Sequence, residues 1–189
     1  MHKEIPTDQE FLNTINEKDE ILDSKSRTEI HTLGLLHREI HVWIFDKNQN
    51  IFFQKRGSSK SSAGLFDASV GGHVDKGEDY LKAAIRELEE EAGISATAPD
   101  LVLLRKFRAT SRDDTQKTIN NFLRAIYIYK YPISEEKIKK EDKDISAGFE
   151  KFSTDFLSNV NDSNTALFDQ YILTEEIPYV LQYINGKLN

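Results

Sequence analysis

The sequence predicts a mixed α/β (α+β) fold in which a mixed β-sheet is held between helices. The order of the expected elements, strands and a helix followed by further strands and a helix, favours this class. A length of 189 residues is enough for one substantial core and argues against two full domains. Apolar residues make up 38% of the chain and charged residues 30%, which is ordinary for a globular protein.

The N-terminal region predicts a hairpin followed by a short helix. Residues 10–22 contain two apolar segments around a polar turn. Ser26 and Glu29 have the spacing of a capping box, so a helix is expected to begin there, and Gly34 is expected to end it. We therefore expect an extension over residues 1–35, ahead of a main domain over 36–189.

The main domain alternates apolar segments with polar loops. Strands are expected at 40–45, 51–55, 65–70, 101–107, 122–129 and 148–152. Helices are expected at 78–92 and at 165–185, the second with a break at Pro178. Polar loops are expected at 57–64, on the substrate side, at 109–119, and in a charged excursion at 133–144.

Composition and charge limit the classes of partner. A formal net charge of −7 argues against a nucleic-acid polymer, although it permits a small phosphorylated molecule. The sequence has no apolar stretch of bilayer length and no apolar signal core, so a membrane is not an expected partner. It has no cysteine, which excludes disulfides and thiol catalysis. These features favour a cytoplasmic protein, and a homodimer is an open alternative to a monomer.

The segment from Gly72 to Ile94 carries the strongest chemical signal. It places Glu87, Glu90 and Glu91 at helical spacings of three and four, so the three carboxylates share one face. Like charges at such spacings destabilise a helix unless a cation compensates them. Oxygen donors of this kind suit Mg²⁺, with Mn²⁺ as an alternative.

This segment resembles the Nudix box, matching its fixed glycine, glutamate and Arg-Glu-apolar-x-Glu-Glu-x-Gly pattern. The resemblance implies the Nudix fold, with Glu90, Glu91 and the Gly71 carbonyl as metal ligands. It implies that Glu87 is a ligand or general base, and that Glu78 and Arg86 are supporting residues. Many such enzymes use one more acidic residue outside the box, for which the candidates are Asp113, Asp114, Glu141 and Asp144.

A second resemblance is to the branch that includes isopentenyl-diphosphate isomerases, through residues 27–41 and 66–73. In those isomerases, histidines near the positions of His31, His37 and His73 bind a metal together with two downstream glutamates. Here those glutamates are replaced around residues 120–121, and Gly71 occupies the position of the isomerase cysteine. We therefore expect His31, His37 and His73 to have a structural role, with hydrogen bonds to the backbone. A metal site formed by the three histidines is the alternative.

Together the two resemblances imply a Mg²⁺-dependent Nudix hydrolase. Its expected substrate is a nucleoside diphosphate linked to another group, or a related organic pyrophosphate. An allylic isomerase is the first alternative, disfavoured by the missing cysteine. The second alternative is a Nudix domain that senses a nucleotide without turning it over. The sequence contains no loop motif that identifies the substrate.

Overall fold

The computed structural model describes residues 10–58, 63–114, 116–132, 138, 146–160, 164–169 and 171–186. The described strands are β1 Phe11–Ile15, β2 Ile21–Ser26, β3 Leu36–Phe45, β4 Asn50–Arg56, β5 Phe66–Asp67, β6 Val70–His73, β7 Leu101–Asp113, β8 Thr118–Lys130 and β9 Ser146–Ser153. The described α-helices are α1 Arg27–Leu33, α2 Tyr80–Ala92, α3 Thr154–Ser158 and α4 Ile177–Ile184. Among the described residues, no helix combines the length and apolar composition needed to cross a lipid bilayer.

All the described strands belong to one mixed sheet, and β3 lies near its centre. Strand β3 runs antiparallel to β4 and β6 and parallel to β8 over its whole length. Strands β7 and β8 form a long antiparallel hairpin beside it, and β9 pairs with β4. This arrangement brings residues from distant parts of the sequence beside the short strand β6, which leads into α2.

The alternating side chains of β3 build two apolar cores on opposite faces of the sheet. Ile40, Val42 and Ile44 pack with the buried side of α2. Trp43 and Phe45 pack on the other face with side chains from α4 and the segment before it. The predicted fold, a mixed sheet between helices, is confirmed.

The predicted N-terminal hairpin and short helix are present. Thr14 in β1 pairs with His37 in β3, so the hairpin extends the main sheet. The Ser26 side chain accepts a hydrogen bond from the backbone of Glu29 at 3.3 Å. Gly34 ends the helix with a φ of 65°, a left-handed conformation that glycine adopts without steric cost. We retain the division into residues 1–35 and 36–189 as a proposal.

Two of the strand and loop predictions were wrong. The strand expected at 65–70 is divided into β5 and β6, because Ser69 bonds through its side chain to the backbones of Ile44 and Phe52. The polar loop expected at 109–119 is instead the end of the β7–β8 hairpin. Polar residues remain in these strands because their backbones pair while many of their side chains face solvent.

The expected helices were also too long. The helix predicted at 78–92 begins at Tyr80, after Asp79 caps it. The one predicted at 165–185 contains a short 3₁₀ turn at Thr165–Leu167, a π-helical turn at Ile172–Glu176 and then α4. Pro178 lies in the first turn of α4 and does not break it, because a proline there lacks only an N–H that would be unpaired. The excursion expected at 133–144 and the centre of the loop at 57–64 fall outside the described residues, apart from residue 138.

Candidate active site

Helix α2 presents the acidic residues of the box on the side opposite its core contacts. It begins where the Asp79 side chain accepts a hydrogen bond from the Lys82 backbone at 2.9 Å. It ends at Gly93, which has a φ of 65°. Ala84 and Leu88 are fully buried against the sheet. That packing leaves the carboxylates on the other side of the helix, toward β6 and the residues that follow it.

Arg86 joins four parts of this acidic cluster. Its guanidinium donates to both carboxylate oxygens of Glu78 at 3.0 Å. It also donates to Glu87 at 2.7 Å, to Glu90 at 3.1 Å and to the backbone carbonyl of His73 at 3.1 Å. Charge-assisted bonds of this kind hold carboxylates in a defined orientation. The structure therefore brings Glu78, Arg86, Glu87 and Glu90 together, and the supporting role of Arg86 stays a prediction.

The two glycines at the start of the box allow the glutamates to approach the backbone. The backbone N–H of Gly71 donates to Glu91 at 3.2 Å, and the Gln54 side chain donates to the same oxygen at 3.3 Å. A Cβ atom on Gly72 would lie only 2.1 Å from a carboxylate oxygen of Glu87. Any residue larger than glycine would therefore displace Glu87. Glu87, Glu91 and the Gly71 backbone thus lie close together at the end of β6.

Burial, assisted by neighbouring negative charge, raises the pKa of two carboxyls in this cluster. Burial raises the pKa of Glu87 to about 7, with Glu90 and Asp75 adding to the shift and Arg86 opposing it. Burial likewise raises the pKa of Asp75 to about 6, again against the effect of Arg86. Carboxylates that repel one another in this way fit a divalent cation, whose charge would lower both pKa values. The oxygen donors present are those that Mg²⁺ and Mn²⁺ prefer.

We predict that replacing Glu87 by glutamine stabilises the metal-free protein more as the pH rises. Folded Glu87 has a pKa of about 7 against an ordinary value of 4.5, so the folded state binds more protons between these two values. Its contribution to stability is complete below pH 4.5 and is lost as the pH rises through about 7. Thermal melts of both proteins in EDTA between pH 4 and 8 test this. A stability difference that does not change with pH would contradict the raised pKa.

A cavity of about 1130 Å³ extends from this acidic cluster across the sheet. Glu87, Glu91, Gly71 and Gly72 line one end of it. The remaining lining includes six further carboxylates and, together with them, four arginines and three aromatic residues, namely Arg27, Arg56, Arg112, Arg124, Phe122, Phe168 and Tyr171. In such a lining the arginines suit an anionic molecule, and the carboxylates suit a metal ion that binds together with it.

The four acidic candidates outside the box differ in whether the structure places them at the cavity. Asp113 and Asp114, at the tip of the β7–β8 hairpin, both line the cavity. Glu141 and Asp144 lie outside the described residues. Arg27 and Arg112 were missed as cavity residues, because no local pattern separates a cavity arginine from a solvated one.

The three histidines singled out in the sequence form one cluster. The Nε2 atoms of His31 and His73 are 3.3 Å apart, and one ring nitrogen from each of the three residues lies within 4.8 Å of the others. Burial lowers the pKa of His31 to about 4 and holds that of His73 well below its usual range. His37 is fully buried and its Nδ1 bonds to the Leu35 carbonyl at 3.0 Å. That backbone bond is the one expected of a structural histidine, and the structural role stays a prediction.

We predict that replacing His37 by asparagine lowers stability more than it lowers catalytic rate. The change removes a buried ring, which costs about 1–3 kcal/mol, or several degrees in the melting temperature. Melts of wild type and variant, with and without EDTA, measure this beside the rate of the hydrolysis proposed below. Unchanged melting with abolished activity would contradict the structural role. If EDTA lowers the melting temperature of the wild type but not that of the variant, a metal would instead be assigned to the histidine cluster.

A buried charged network lies on the α4 side of the sheet. Arg124 in β8 donates to Glu39 at 2.8 Å and to Glu176 at 2.9 Å. Glu176 also accepts from Trp43 at 2.8 Å and lies 3.0 Å from Nδ1 of His41. Burial opposes the ionisation of Glu176, but His41, Arg124 and Trp43 outweigh it and lower its pKa. The sequence contains no signal for this network, because His41 and Glu176 are 135 positions apart.

Comparison with known proteins places these features in a family. A family model described as the NUDIX domain matches residues 35–159. A protein of Clostridium acetobutylicum named as an uncharacterized Nudix hydrolase is 36% identical over 99 residues, which are 50% of this chain and 48% of that protein. An isopentenyl-diphosphate Delta-isomerase of Serratia proteamaculans is 43% identical over 88 residues, which are 46% of this chain and 49% of that protein. The chain thus spans about half the length of these curated relatives.

Solved structures give the same result for the fold. The crystal structure of DR0079 from Deinococcus radiodurans matches with a TM-score of 0.66 and 24% identity, over 89% of this chain and 98% of that one. A NUDIX hydrolase from Nitrosomonas europaea matches with a TM-score of 0.56 and 18% identity, over 79% and 89% of the two chains. At these identities the likeness shows the fold alone. Since the family model matches more than half of the 189 residues, the chain belongs to the Nudix family, with relatives named as isopentenyl-diphosphate isomerases.

Proposed function

We propose that this protein is a Mg²⁺-dependent hydrolase that cleaves a phosphoanhydride bond in a small molecule. The substrate class is a nucleoside diphosphate linked to another group, or a related organic pyrophosphate. The observation that carries the proposal is the juxtaposition of Glu87, Glu91 and the Gly71 backbone in a cavity that four arginines also line. Mn²⁺ is the alternative ion, because it accepts the same oxygen donors.

The proposed mechanism assigns a role to each group of the cluster. Glu90, Glu91 and the Gly71 carbonyl would hold the metal, which when bound neutralises phosphate charge and makes a water more acidic. Glu87, which accepts a hydrogen bond from Arg86, would take the proton of the attacking water as a general base. Arg86 keeps Glu87 and Glu90 in orientation through its hydrogen bonds.

The arginines of the cavity would hold the substrate phosphates. Arg112 has no ion-pair partner among the residues that the structure describes, so its charge is available to an anion. Arg56 forms an ion pair with Asp67, which also lines the cavity. A guanidinium on a phosphate supplies charge and geometry together, which favours one position of the scissile bond.

The isomerase alternative is disfavoured by what lies beside Gly71. A Cβ atom at that position would be 2.7 Å from Cδ2 of His41, so the ring of His41 occupies the space that a cysteine side chain would need. The chain also has no cysteine anywhere. In the sensing alternative, the protein would have the Nudix fold but would not turn over the nucleotide. The acidic cluster joined by Arg86 argues against this alternative, because a sensor does not need such a cluster.

A hydrolysis screen, with the products separated by chromatography, tests the proposed function, because cleavage between the two phosphates of such a substrate gives two phosphomonoesters and no free phosphate. It uses Mg²⁺ or Mn²⁺ with nucleoside di- and triphosphates, nucleotide sugars, dinucleoside polyphosphates, coenzyme A and isopentenyl diphosphate. We expect turnover of one class that depends on the metal and is lost in Glu90→Gln. Metal binding by a folded protein without turnover of any compound would favour the sensing alternative. Isomerisation of isopentenyl diphosphate would favour the isomerase.

A further inference from the structure

The N-terminal hairpin contacts the segment that leads into α2, and the mechanism above gives it no role. The family model begins at residue 35, so the hairpin lies outside the part of the chain that this model matches. The backbone N–H of Lys76 donates to the Phe11 carbonyl at 2.9 Å, and Leu12 forms an isolated bridge with Asp75. Leu12 is also fully buried. The hairpin therefore packs against the residues that connect β6 to α2.

The turn of this hairpin, residues 16–20, makes a second contact through Asp19. The carboxylate of Asp19 accepts hydrogen bonds from three side chains, namely Arg38 at 2.6 Å, Lys106 at 2.7 Å and Tyr80 at 2.9 Å. Arg38 also donates to the backbone carbonyl of Asp19. Burial opposes the ionisation of Asp19, but its three hydrogen-bond donors outweigh burial and lower its pKa. Asp19 is therefore an ionised acceptor that joins the hairpin to β3, β7 and α2.

The backbone of Asp19 has a conformation that few residue types adopt readily. Its φ is 64°, in the left-handed region where glycine, asparagine and aspartate are favoured. The Asn16 side chain fixes the turn, because it accepts hydrogen bonds from the backbones of Lys18 at 2.9 Å and Glu20 at 3.1 Å. Position 19 thus combines a short side chain that this backbone accepts with the charge that its three donors require.

Tyr80 is the first residue of α2, and Asp19 binds it through its hydroxyl. The residue is only 7% exposed, because its ring packs in the core between α2 and the sheet. Nζ of Lys106 lies 3.8 Å from the centre of this ring, so a cation–π contact adds to the hydrogen bonds. A buried tyrosine hydroxyl needs a hydrogen-bond partner, and Asp19 supplies it. The start of α2 is therefore fixed from the side of the hairpin.

Glu78 connects the start of α2 to the acidic cluster. It lies two residues before Tyr80, and its backbone N–H donates to the Asp75 carbonyl at 3.0 Å. Its carboxylate accepts two hydrogen bonds from Arg86, which also donates to Glu90. A shift of the segment between Asp75 and Tyr80 would move Glu78 relative to Arg86. The orientation of Glu90, a proposed metal ligand, would then be lost as well.

We propose that Asp19 is a positioning residue for the candidate metal site. Through the Tyr80 hydroxyl it fixes the start of α2, and thereby the Glu78 carboxylate that orients Arg86 and Glu90. This inference rests on the proposed function, because it concerns how the same site is prepared for a metal ion. The N-terminal hairpin then braces the metal site in addition to extending the sheet.

The first test measures metal binding without substrate, so it is independent of hydrolysis. Asp19→Gly removes all three side-chain contacts and keeps the left-handed backbone. Gln49→Gly is the matched control, because Gln49 has a φ of 63° in a turn that contributes no residue to the cavity. Asp19→Gly is expected to weaken Mn²⁺ binding, measured by electron paramagnetic resonance, about tenfold relative to this control. Binding as tight as that of the control would overturn the proposal, as would a wild type that binds no Mn²⁺.

Three further variants test whether the effect passes through Tyr80. Tyr80→Phe removes only the hydroxyl and should weaken Mn²⁺ binding about threefold. Asp19→Asn keeps an acceptor for that hydroxyl and tolerates the same backbone, so it should recover part of the affinity that Asp19→Gly loses. Glu17→Gln breaks the ion pair of the same turn with Arg108, outside the contact with α2, and should bind as wild type does. Equal binding by Tyr80→Phe and Glu17→Gln would refute the route through Tyr80, and this comparison serves even if Asp19→Gly does not fold.

The outcomes separate this inference from the proposed function. If Asp19→Gly binds Mn²⁺ more weakly than Gln49→Gly but no compound is hydrolysed, the hydrolase proposal fails and the role of Asp19 stands. If a substrate is hydrolysed, Asp19→Gly should need about tenfold more Mg²⁺ for half its maximal rate and reach the wild-type rate at saturation. A lower maximal rate with an unchanged Mg²⁺ requirement would leave the hydrolase in place and refute the role of Asp19. Melting curves of each variant in EDTA exclude unfolding as the cause of a loss.

Discussion

Replacing Glu90 or Glu91 by glutamine is expected to lower the rate of substrate hydrolysis by roughly 10²–10³-fold while the fold survives. Glutamine has the same shape as glutamate but no charge, so it cannot compensate a divalent cation. Glu91 contacts the Gly71 backbone at 3.2 Å, beside the carbonyl proposed as a ligand. The Glu90 side chain is 59% exposed, so its loss should cost little stability and the effect should be on catalysis.

The neighbouring Glu89 provides a matched control for this experiment. It lies on the same helix, is exposed, and occupies a variable position of the box. Glu89→Gln should therefore retain the wild-type rate. The rate of product formation at saturating Mg²⁺, measured by chromatography, together with circular dichroism of all three variants, measures the effect. Near wild-type rates in both Glu90→Gln and Glu91→Gln would contradict the proposed metal site.

Replacing Arg124 by methionine is expected to destabilise the protein by about 3–5 kcal/mol. Arg124 is buried between Glu39 and Glu176, and its bonds to them are 2.8 Å and 2.9 Å long. Burial opposes the ionisation of Glu39, and Arg124 and His37 are what hold the pKa of Glu39 well below its usual range. Without the arginine, two buried carboxylates would lose their cation. The surrounding network, including the contact to His41, would lose its geometry.

Denaturant unfolding of Arg124→Met measures this loss, and Arg108→Met is its control. Arg108 also forms an ion pair, with Glu17, but their side chains are 42% and 71% exposed. A pair in water contributes about 0–1 kcal/mol, so the control should unfold near the wild-type midpoint. Similar unfolding free energies for the two variants would show that the buried network contributes no more to stability than a surface pair.

The parts of the fold that could be predicted are those with a local cause. Ser26 caps the beginning of α1 and Gly34 caps its end, and each cap acts on backbone groups only a few residues away. The hairpin before them follows from two apolar segments and a turn. The box is likewise local, because its glutamates lie within one helix and their spacing places them on one face. The wrong boundaries arose where tertiary packing overrode local signals, as at Ser69 and at the polar end of the β7–β8 hairpin.

The sequence by itself determined the family, the acidic face of α2 and the glycine turn before it. These depend on spacings of at most a few helical turns, which the backbone geometry translates directly into positions in space. Only the tertiary structure reveals the buried charged network on the α4 side of the sheet. The parallel pairing of β3 with β8 brings Arg124 to Glu39, and the turn before α4 brings Glu176 to His41. Such partners depend on strand register and on packing between elements, and no periodicity along the chain encodes them.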